Sequence, residues 1–384
     1  MATLFIASAI AVTLITPASA QSTQLSPLGD GADRVRRDQW HLGYLEVSRA
    51  HRLSEGEGVT VAVPDTGVDP HPDLRNNLLP GTDIIPGGGG DGRRDLDSHG
   101  TAMAGLIAAH GQGGSVGALG IAPRAKILPI FDSPPNGEGE PDALAQGIDY
   151  AVDHGAGVIS ISSVGSSSAP LRQAVQRAIA SDVVVVAGVG NRPRNQAVGY
   201  PANQPGVIAV GGIDRNGEHA KFSVAGAELD VVAPAVDIYS TSYDGKYSKG
   251  EGTSGATAIV AGAVALIRSR FPGLPASEVA HRLTATAIDK GPPGRDDEYG
   301  HGVIDLVAAL TADVPPLGFG SATASAPAAG ASSTTAAGQP SDDGNPGSVV
   351  RGWITLGVLV AAGVAWVLIA RRRRRDDPPP RISR

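Results

Sequence analysis

The sequence predicts an α/β fold whose central sheet is mostly parallel. Two observations within residues 39–312 lead to this prediction: short β-branched runs that are typical of buried strands, and helical spacing in the segments between them. Strands that alternate with helices imply crossover connections and hence a parallel sheet. The predicted strands are Val59–Val63, Ile127–Ile130, Val158–Ile161, Val183–Ala187 and Val207–Val210.

The helices are predicted from the spacing of apolar residues. Pro141-Asp142 is typical of a helix start, and the apolar positions from Leu144 to Val152 then recur at i, i+4, i+7 and i+8. Leu171–Ile179 repeats this pattern. Thr257–Ile267 is apolar almost all round, so this helix is predicted to lie deep inside the domain.

The composition sets limits on both core and function. Of the 384 residues 41% are hydrophobic and only 4% aromatic, so the core must be built from Ala, Val, Ile and Leu. A net charge of -7 argues against a nucleic-acid-binding surface, which needs a basic face. Because the chain has no cysteine, disulfides, thiol catalysis and thiolate metal sites are excluded.

The N-terminus resembles an export signal. Residues 1–20 are predicted to be a signal peptide cleaved after Ala20, because the apolar run at residues 4–16 is followed by Ala18-Ser19-Ala20. No Lys or Arg precedes that run, and the alternative is a buried N-terminal helix. Residues 21–38 are then a short polar extension.

The C-terminal segment predicts a membrane anchor. Residues 313–348 are rich in Ala, Ser, Gly and Pro and predict a flexible tether, with a root-mean-square reach of about 30–35 Å. Residues 352–370 are uncharged and long enough for one transmembrane helix. The basic tail, residues 371–384, begins with five arginines, which places the C-terminus in the cytoplasm and residues 39–312 outside it. A buried core helix is the alternative, but such a helix would show a polar face.

Two polar clusters follow or begin predicted elements. Asp65 comes directly after a strand, and His99 stands at a helix start in Asp-Ser-His-Gly-Thr. Taken alone, Asp65 is better explained as an acidic turn residue. His99 is either a general base that titrates near a pKa of ~6.5 or only an exposed residue of a capped helix.

Two further clusters complete the set. Ser254 begins the buried helix, where backbone N–H groups favour an attacking alkoxide, although an N-cap serine is equally consistent. Asn191 follows a central strand, where an amide can donate to an oxyanion or simply make a turn. The order Asp, His, Ser is one of the known orders of a serine-nucleophile triad. Ala256 excludes the Gly-x-Ser-x-Gly elbow of the α/β-hydrolases.

Asp-Thr-Gly at 65–67, His-Gly-Thr at 99–101, the stretch 183–191 and Gly-Thr-Ser at 252–254 resemble the signatures of the subtilase family. The resemblance implies a subtilisin-like three-layer fold and a serine endopeptidase that works through an acyl-enzyme. It implies that Asp65 orients His99, His99 takes the proton of Ser254, and Asn191 stabilises the oxyanion. It also implies that an edge after the third strand binds substrate backbone, formed by Ser162, Ser163, Val164 and Gly165.

A narrower resemblance is to the mycosins, membrane-anchored subtilases associated with type VII secretion. It is carried by Gln39–Leu42, by His99–Gly105 and by residues 120–129, and by the order of signal peptide, protease domain, tether, helix and basic tail. The implied partners are a peptide or protein substrate, a secretion membrane complex and the membrane itself. The alternative function is a structural component of that complex with secondary or idle protease activity.

Two departures accompany the resemblance: Ala258 stands where subtilases usually have proline, and the disulfides usual in mycosins are missing.

Gly87–Gly90 lacks the Lys-Ser/Thr ending of a phosphate loop. No cofactor or metal is expected; calcium is common in subtilases, but no ligand loop is legible here. The remaining histidines show no metal-binding spacing, and most of them are predicted to be surface residues; they include His41, His110, His154, His219, His281 and His301.

Overall fold

The computed structural model describes residues 26–28, 31–87, 90–135 and 139–317. The predicted signal peptide, transmembrane helix and basic tail lie outside the described residues, as does nearly all of the tether. Within the described ranges, no helix has both the length and the apolar character that crossing a membrane requires.

Strands and helices alternate along the described chain. The strands are Ser26–Leu28 (β1), Thr60–Asp65 (β2), Thr82–Asp83 (β3), Lys126–Phe131 (β4), Val158–Ile161 (β5), Val184–Gly188 (β6), Ile208–Ile213 (β7), Val231–Pro234 (β8), Ile238–Thr241 (β9) and Tyr247–Gly250 (β10). The helices are Ala32–Asp38 (α1), Trp40–Tyr44 (α2), Val47–His51 (α3), His99–Ala108 (α4), Pro141–Asp153 (α5), Ala169–Ala180 (α6), Thr253–Arg270 (α7), Ala276–Ala285 (α8) and Leu306–Thr311 (α9).

The strands predicted from the β-branched runs all belong to one sheet. Its order in the described residues is β3-β4-β2-β5-β6-β7-β8, and every neighbouring pair is parallel. The predicted α/β fold with a mostly parallel central sheet is confirmed, with strand ends shifted by a few residues. Because the sheet is covered on both faces, its strands are apolar throughout rather than alternating.

The sheet separates two layers of helices. Successive side chains of a strand point to opposite faces, so Val184 and Val186 join a core cluster with α4 and α7. Val185 and Ala187 join the opposite cluster, which packs against α5 and α6. The result is a three-layer arrangement in which the carboxyl ends of the parallel strands lie along one edge.

The helix α7 is buried along nearly its whole length. Every residue from Thr253 to Ile267 is buried, which confirms the prediction made from its apolar sequence. The helix continues past Ala258, the position where subtilases usually have proline. The Thr257 hydroxyl donates to the Thr253 carbonyl at 2.8 Å, as expected in a continuous helix.

A second, antiparallel sheet was not predicted from the sequence. It has the order β1-β10-β9, so three residues of the N-terminal extension pair with a strand more than two hundred positions later. The register places Ser26 opposite Lys249 and Leu28 opposite Tyr247. Strand β10 then leads directly into Gly252 and the start of α7.

Candidate active site

Three of the sequence-predicted side chains stand at the ends of elements that meet at one edge of the sheet. Asp65 is the last residue of β2, His99 is the first residue of α4, and Ser254 is the second residue of α7. The first turns of α4 and α7 line a common apolar cavity, to which Ala102, Met103, Gly252 and Gly255 contribute. The fold therefore packs the helix that begins with His99 against the helix that carries Ser254, and it brings Asp65 into contact with His99.

Asp65 and His99 form a hydrogen-bonded pair that is largely enclosed by the domain. The imidazole Nδ1 of His99 lies 2.7 Å from Asp65 Oδ1 and 2.9 Å from Oδ2. The Asp65 side chain is 6% exposed and that of His99 is 17% exposed. Burial lowers the pKa of His99, but the charge of Asp65, its hydrogen bond and the charges of Asp97 and Asp95 outweigh burial and raise the pKa to about 9. An imidazole held in this way keeps one nitrogen on Asp65 and presents the other to the cleft.

The contact between His99 and Asp65 depends on the backbone at the two positions that flank His99. Ser98, directly before the helix, has φ 88°, a left-handed conformation that is uncommon for a residue with a Cβ. Gly100 follows, and a Cβ at that position would collide with the Gly67 carbonyl and contact the Asp65 Cβ. A side chain at position 100 would therefore push α4 away from the strand that carries Asp65.

Asp95 holds the turn that carries His99. Its Oδ1 accepts from Thr66 Oγ1 at 2.9 Å and from the N–H groups of Asp97 and Ser98 at 2.8 and 2.9 Å. Its Oδ2 accepts from Thr101 N at 2.9 Å and Thr101 Oγ1 at 2.6 Å. Burial raises the pKa of Asp95, and these hydrogen bonds oppose the rise. One carboxylate thus joins the turn before His99, the helix after it and the residue next to Asp65.

Ser254 is buried and points toward the strand edge. Its Oγ donates to the Ser162 carbonyl at 3.2 Å, and the Ser162 hydroxyl donates to the Ser254 carbonyl at 3.4 Å. Among the described residues, no hydrogen bond joins the Ser254 hydroxyl to His99. A rotation about the Cα–Cβ bond would redirect this hydroxyl, and such bonds are often absent or long before substrate binds.

The other predicted residues flank Ser254. The Asn191 Oδ1 accepts from the Thr253 N–H at 3.0 Å, so this amide is fixed beside the first turn of α7. Ser162, Ser163 and Val164 are partly buried, and Gly165 is exposed and donates to the Tyr200 carbonyl at 3.2 Å. Within the described part of the chain, Ser163 and Val164 make no backbone hydrogen bonds, which leaves a short extended edge next to Ser254.

Sequence reasoning missed two carboxylates. Asp95 had a signal: it precedes His99 by four positions, and its partners Thr66 and Thr101 belong to the two motifs that were recognised. Asp132 follows β4, and its N–H donates to the Asp65 carbonyl at 3.1 Å. Burial and the charge of Asp65 raise the pKa of Asp132 to about 8. No local pattern indicates this contact, because it depends on the pairing of β2 with β4.

The described residues contain no group of three or more His, Cys, Asp or Glu side chains placed to hold a metal ion.

Two histidines, His41 and His71, are fully buried. The surface position predicted for most of the histidines does not hold for His41, because α2 packs its imidazole into the domain. The His71 ring contacts the Lys246 carbonyl, with 2.9 Å between Nε2 and O.

A three-layer α/β domain with a buried Asp–His pair and a serine at a helix N-terminus defines a serine endopeptidase of the subtilisin type. Comparison with known proteins agrees: residues 56–302 match the Peptidase S8 family model, described as "Subtilase family". The chain belongs to the subtilase family.

Known relatives cover most of the folded domain. Subtilisin DY from Bacillus licheniformis is 40% identical over 260 residues, which are 66% of this chain and 92% of the relative. A thermostable alkaline protease from Halalkalibacterium halodurans is 38% identical over 268 residues, which are 69% of this chain and 71% of the relative. Both alignments are long enough to include the whole central sheet.

Similar solved structures include mycosins. The crystal structure of MycP1 from Mycobacterium smegmatis has a TM-score of 0.67 and 30% identity, covering 76% of this chain and 88% of its own. MycP3 protease from the type VII (ESX-3) secretion system has a TM-score of 0.62 and 34% identity, covering 71% of this chain and 88% of its own. The narrower resemblance predicted from the sequence is confirmed.

Proposed function

We propose that the chain is a membrane-anchored, extracytoplasmic endopeptidase in which Asp65, His99 and Ser254 form the catalytic triad. The contact between His99 Nδ1 and Asp65 at 2.7 Å carries this proposal. A carboxylate on Nδ1 fixes the tautomer whose other nitrogen accepts the proton of a serine. The motif order and the family relationship support the same roles.

In the proposed reaction, His99 removes the Ser254 proton as Oγ attacks the scissile carbonyl carbon. The carbonyl π electrons move to oxygen, giving a tetrahedral oxyanion, while Asp65 stabilises the imidazolium. The oxyanion collapses, the C–N bond breaks, and His99 gives its proton to the leaving amine. Water, deprotonated by His99, then releases the acyl group from Ser254. These steps require only side chains and water, so we propose that no cofactor takes part.

Asn191 is proposed as the oxyanion donor. Its Oδ1 is engaged by the Thr253 N–H, so the amide NH₂ is the end that remains to donate. The Ser254 N–H, for which the described residues provide no hydrogen-bond partner, adds a backbone donor at the positive end of the helix dipole. Two donors of this kind stabilise negative charge that exists only in the transition state.

Ser162–Gly165 is proposed as the edge to which substrate backbone adds as a strand. Within the described residues, the backbone groups of Ser163 and Val164 have no hydrogen-bond partner, which supports this role because an extended peptide can satisfy them. The edge begins at Ser162, whose carbonyl contacts Ser254 Oγ. A peptide paired there would have its scissile bond close to the nucleophile.

The membrane and secretion roles rest on the sequence and on the relatives. One similar structure, of MycP1, is described as "an essential component of the type VII (ESX-1) secretion system", and it covers 76% of this chain. We propose the same association here, with one transmembrane helix at residues 352–370 and a cytoplasmic tail. Protease added to intact cells should remove an epitope in residues 21–348 and spare one at the C-terminus. Equal protection of both epitopes would contradict the anchor.

The enzymatic proposal is tested by covalent labelling. A fluorophosphonate should modify the purified protein once, at Ser254, as read by peptide mass spectrometry. Ser254→Ala should remove the label, whereas Ser166→Ala, at an exposed serine near the substrate edge, should keep it. Labelling of Ser254→Ala at the native rate would contradict the proposed nucleophile.

A further inference from the structure

One face of the short helix α1 makes hydrogen bonds with the loop at residues 110–119. The carbonyl of Ala32 accepts from the Gly117 N–H at 2.8 Å. Just beyond the helix, Gln39 exchanges two hydrogen bonds with the backbone of Leu119, at 2.8 and 3.0 Å. Arg36 lies between these two contacts on the same face, since the three positions follow i, i+4, i+7 spacing.

The Arg36 guanidinium is surrounded by backbone carbonyls of that loop. Nε donates to the Gly117 carbonyl at 2.9 Å, and Nη2 lies 3.5 Å from the Val116 oxygen and 3.4 Å from the Ala118 oxygen. Three consecutive carbonyls therefore converge on one positive charge. Burial lowers the pKa of Arg36, while the charges of Asp73 and Tyr247 oppose this effect.

A buried carboxylate faces the same loop from the domain side. Asp73 is fully buried, and its Oδ2 accepts from the Ala118 N–H at 2.7 Å and the Tyr247 hydroxyl at 3.0 Å. Its Oδ1 has no hydrogen-bond partner among the described residues. Gly117 has φ 79°, and a Cβ there would collide with the Asp73 carboxylate, so the loop backbone lies directly against it.

Backbone carbonyls combined with a carboxylate are the oxygen ligands that Ca²⁺ takes in proteins. Calcium is common in the subtilase family, but the three loop carbonyls do not fit an added cation, because the Arg36 guanidinium already binds them. We propose that Arg36 is the built-in cation of this oxygen site, so that the N-terminal helix does for the loop at residues 110–119 what a bound Ca²⁺ would otherwise do.

This assignment makes residues 32–39 a permanent part of the folded domain. A metal ion can be exchanged, but the guanidinium remains only while the N-terminal segment stays attached and folded. Loss of the segment would leave the three carbonyls without their cation and would remove a positive charge that interacts with Asp73. The proposal concerns the loop and not the chemistry at Ser254, so it is tested in a Ser254→Ala background, where self-digestion is absent.

Thermal unfolding of three full-length proteins tests the proposal: the Ser254→Ala parent, the parent with Arg36→Ala, and the parent with Arg37→Ala. Arg37 lies on the same helix but is exposed, so its variant matches the change in net charge. The Tm of the parent should be the same in chelator and in millimolar CaCl2. Arg36→Ala should lower Tm by roughly 6–12 °C, and Arg37→Ala by less than about 2 °C.

The Arg36→Ala protein should regain part of its lost Tm in CaCl2, but not in NaCl of equal ionic strength. Mg²⁺ should restore less, because it needs a tighter octahedral set of ligands. If Arg36→Ala does not fold, Arg36→Lys keeps the charge and should show an intermediate Tm with a smaller calcium response. A parent stabilised by CaCl2, an Arg36→Ala Tm equal to that of Arg37→Ala, or an Arg36 variant without a calcium-specific gain would each overturn the proposal.

Discussion

His41 and His99 are two imidazoles enclosed by the same domain, and their electrostatic environments are opposite. His41 lies on α2, is fully buried, and neither ring nitrogen has a hydrogen-bond partner among the described residues. Burial lowers its pKa to about 3. His99 has two carboxylate oxygens within 2.9 Å, and its pKa rises to about 9. Burial lowers the pKa of both rings, so the difference comes from the carboxylates around His99, whose combined effect exceeds that of burial.

The two rings also have opposite effects on stability. His99 binds its proton more tightly in the folded state, so its contribution is complete below pH ~6.5 and is lost as pH rises through about 9. His41 resists protonation when folded. Its contribution is complete above pH ~6.5 and is lost as pH falls from there toward about 3.

The largest expected effect comes from making His99 resemble His41. Asp65→Asn keeps the size of the side chain but removes the largest effect that opposes burial, so burial should then dominate and the pKa of His99 should fall below ~6.5. The wrong tautomer is then favoured, and kcat should fall by about 10⁴. The pKa of His99 can be followed by NMR, and kcat by hydrolysis of a peptide. A variant with native kcat would show that the pair does not serve catalysis.

Asn191→Ala should have the next largest effect. Removing a donor that acts only on the transition state should lower kcat by roughly 10²–10³ with little change in KM. Steady-state kinetics on one peptide measures both parameters. A loss confined to KM would make Asn191 a residue that binds substrate rather than the oxyanion.

Asp95→Asn tests whether the turn before α4 positions His99. An amide cannot accept all the hydrogen bonds that Asp95 accepts, so we expect kcat to fall by roughly 10–100-fold through misplacement of the imidazole. Asp97→Asn is the matched control, because Asp97 also contributes charge that raises the pKa of His99. Both variants should move the acidic limb of the pH profile to lower pH, and only Asp95→Asn should lower the plateau. Equal plateau values of kcat in the two variants would contradict a positioning role for Asp95.

The smallest effect concerns His41 and is confined to stability. At pH 5 the unfolded chain protonates this ring and the folded chain does not, which costs about 2 kcal/mol relative to pH 7. His41→Leu should remove this pH dependence of the free energy of unfolding, whatever its effect on stability at pH 7. Urea unfolding of the Ser254→Ala background at both pH values measures the difference. If the free energy of unfolding changes equally between the two pH values with and without His41, the ring has a hydrogen-bond partner in solution.

The sequence predicted what depends on local pattern and motif order. β-Branched runs gave the strands of the parallel sheet, and polar residues at strand ends gave Asp65 and Asn191. The antiparallel sheet of β1, β9 and β10, the contacts of Arg36 and the neighbourhood of Asp132 join positions far apart in the chain, and no local periodicity encodes them. The expected pKa of ~6.5 for His99 also changed, because the charges of Asp65, Asp97 and Asp95 act together only in the folded chain.

The pH dependence of Ser254 labelling tests the central claim most directly, namely that a carboxylate-bound His99 is the base. The second-order rate of fluorophosphonate labelling should rise with pH, because only neutral imidazole accepts the Ser254 proton. The native protein should show a midpoint at about 9, and Asp65→Asn a slower reaction with its midpoint below ~6.5. Identical midpoints in the two proteins, or a rate independent of pH between about 5 and 10, would contradict the account.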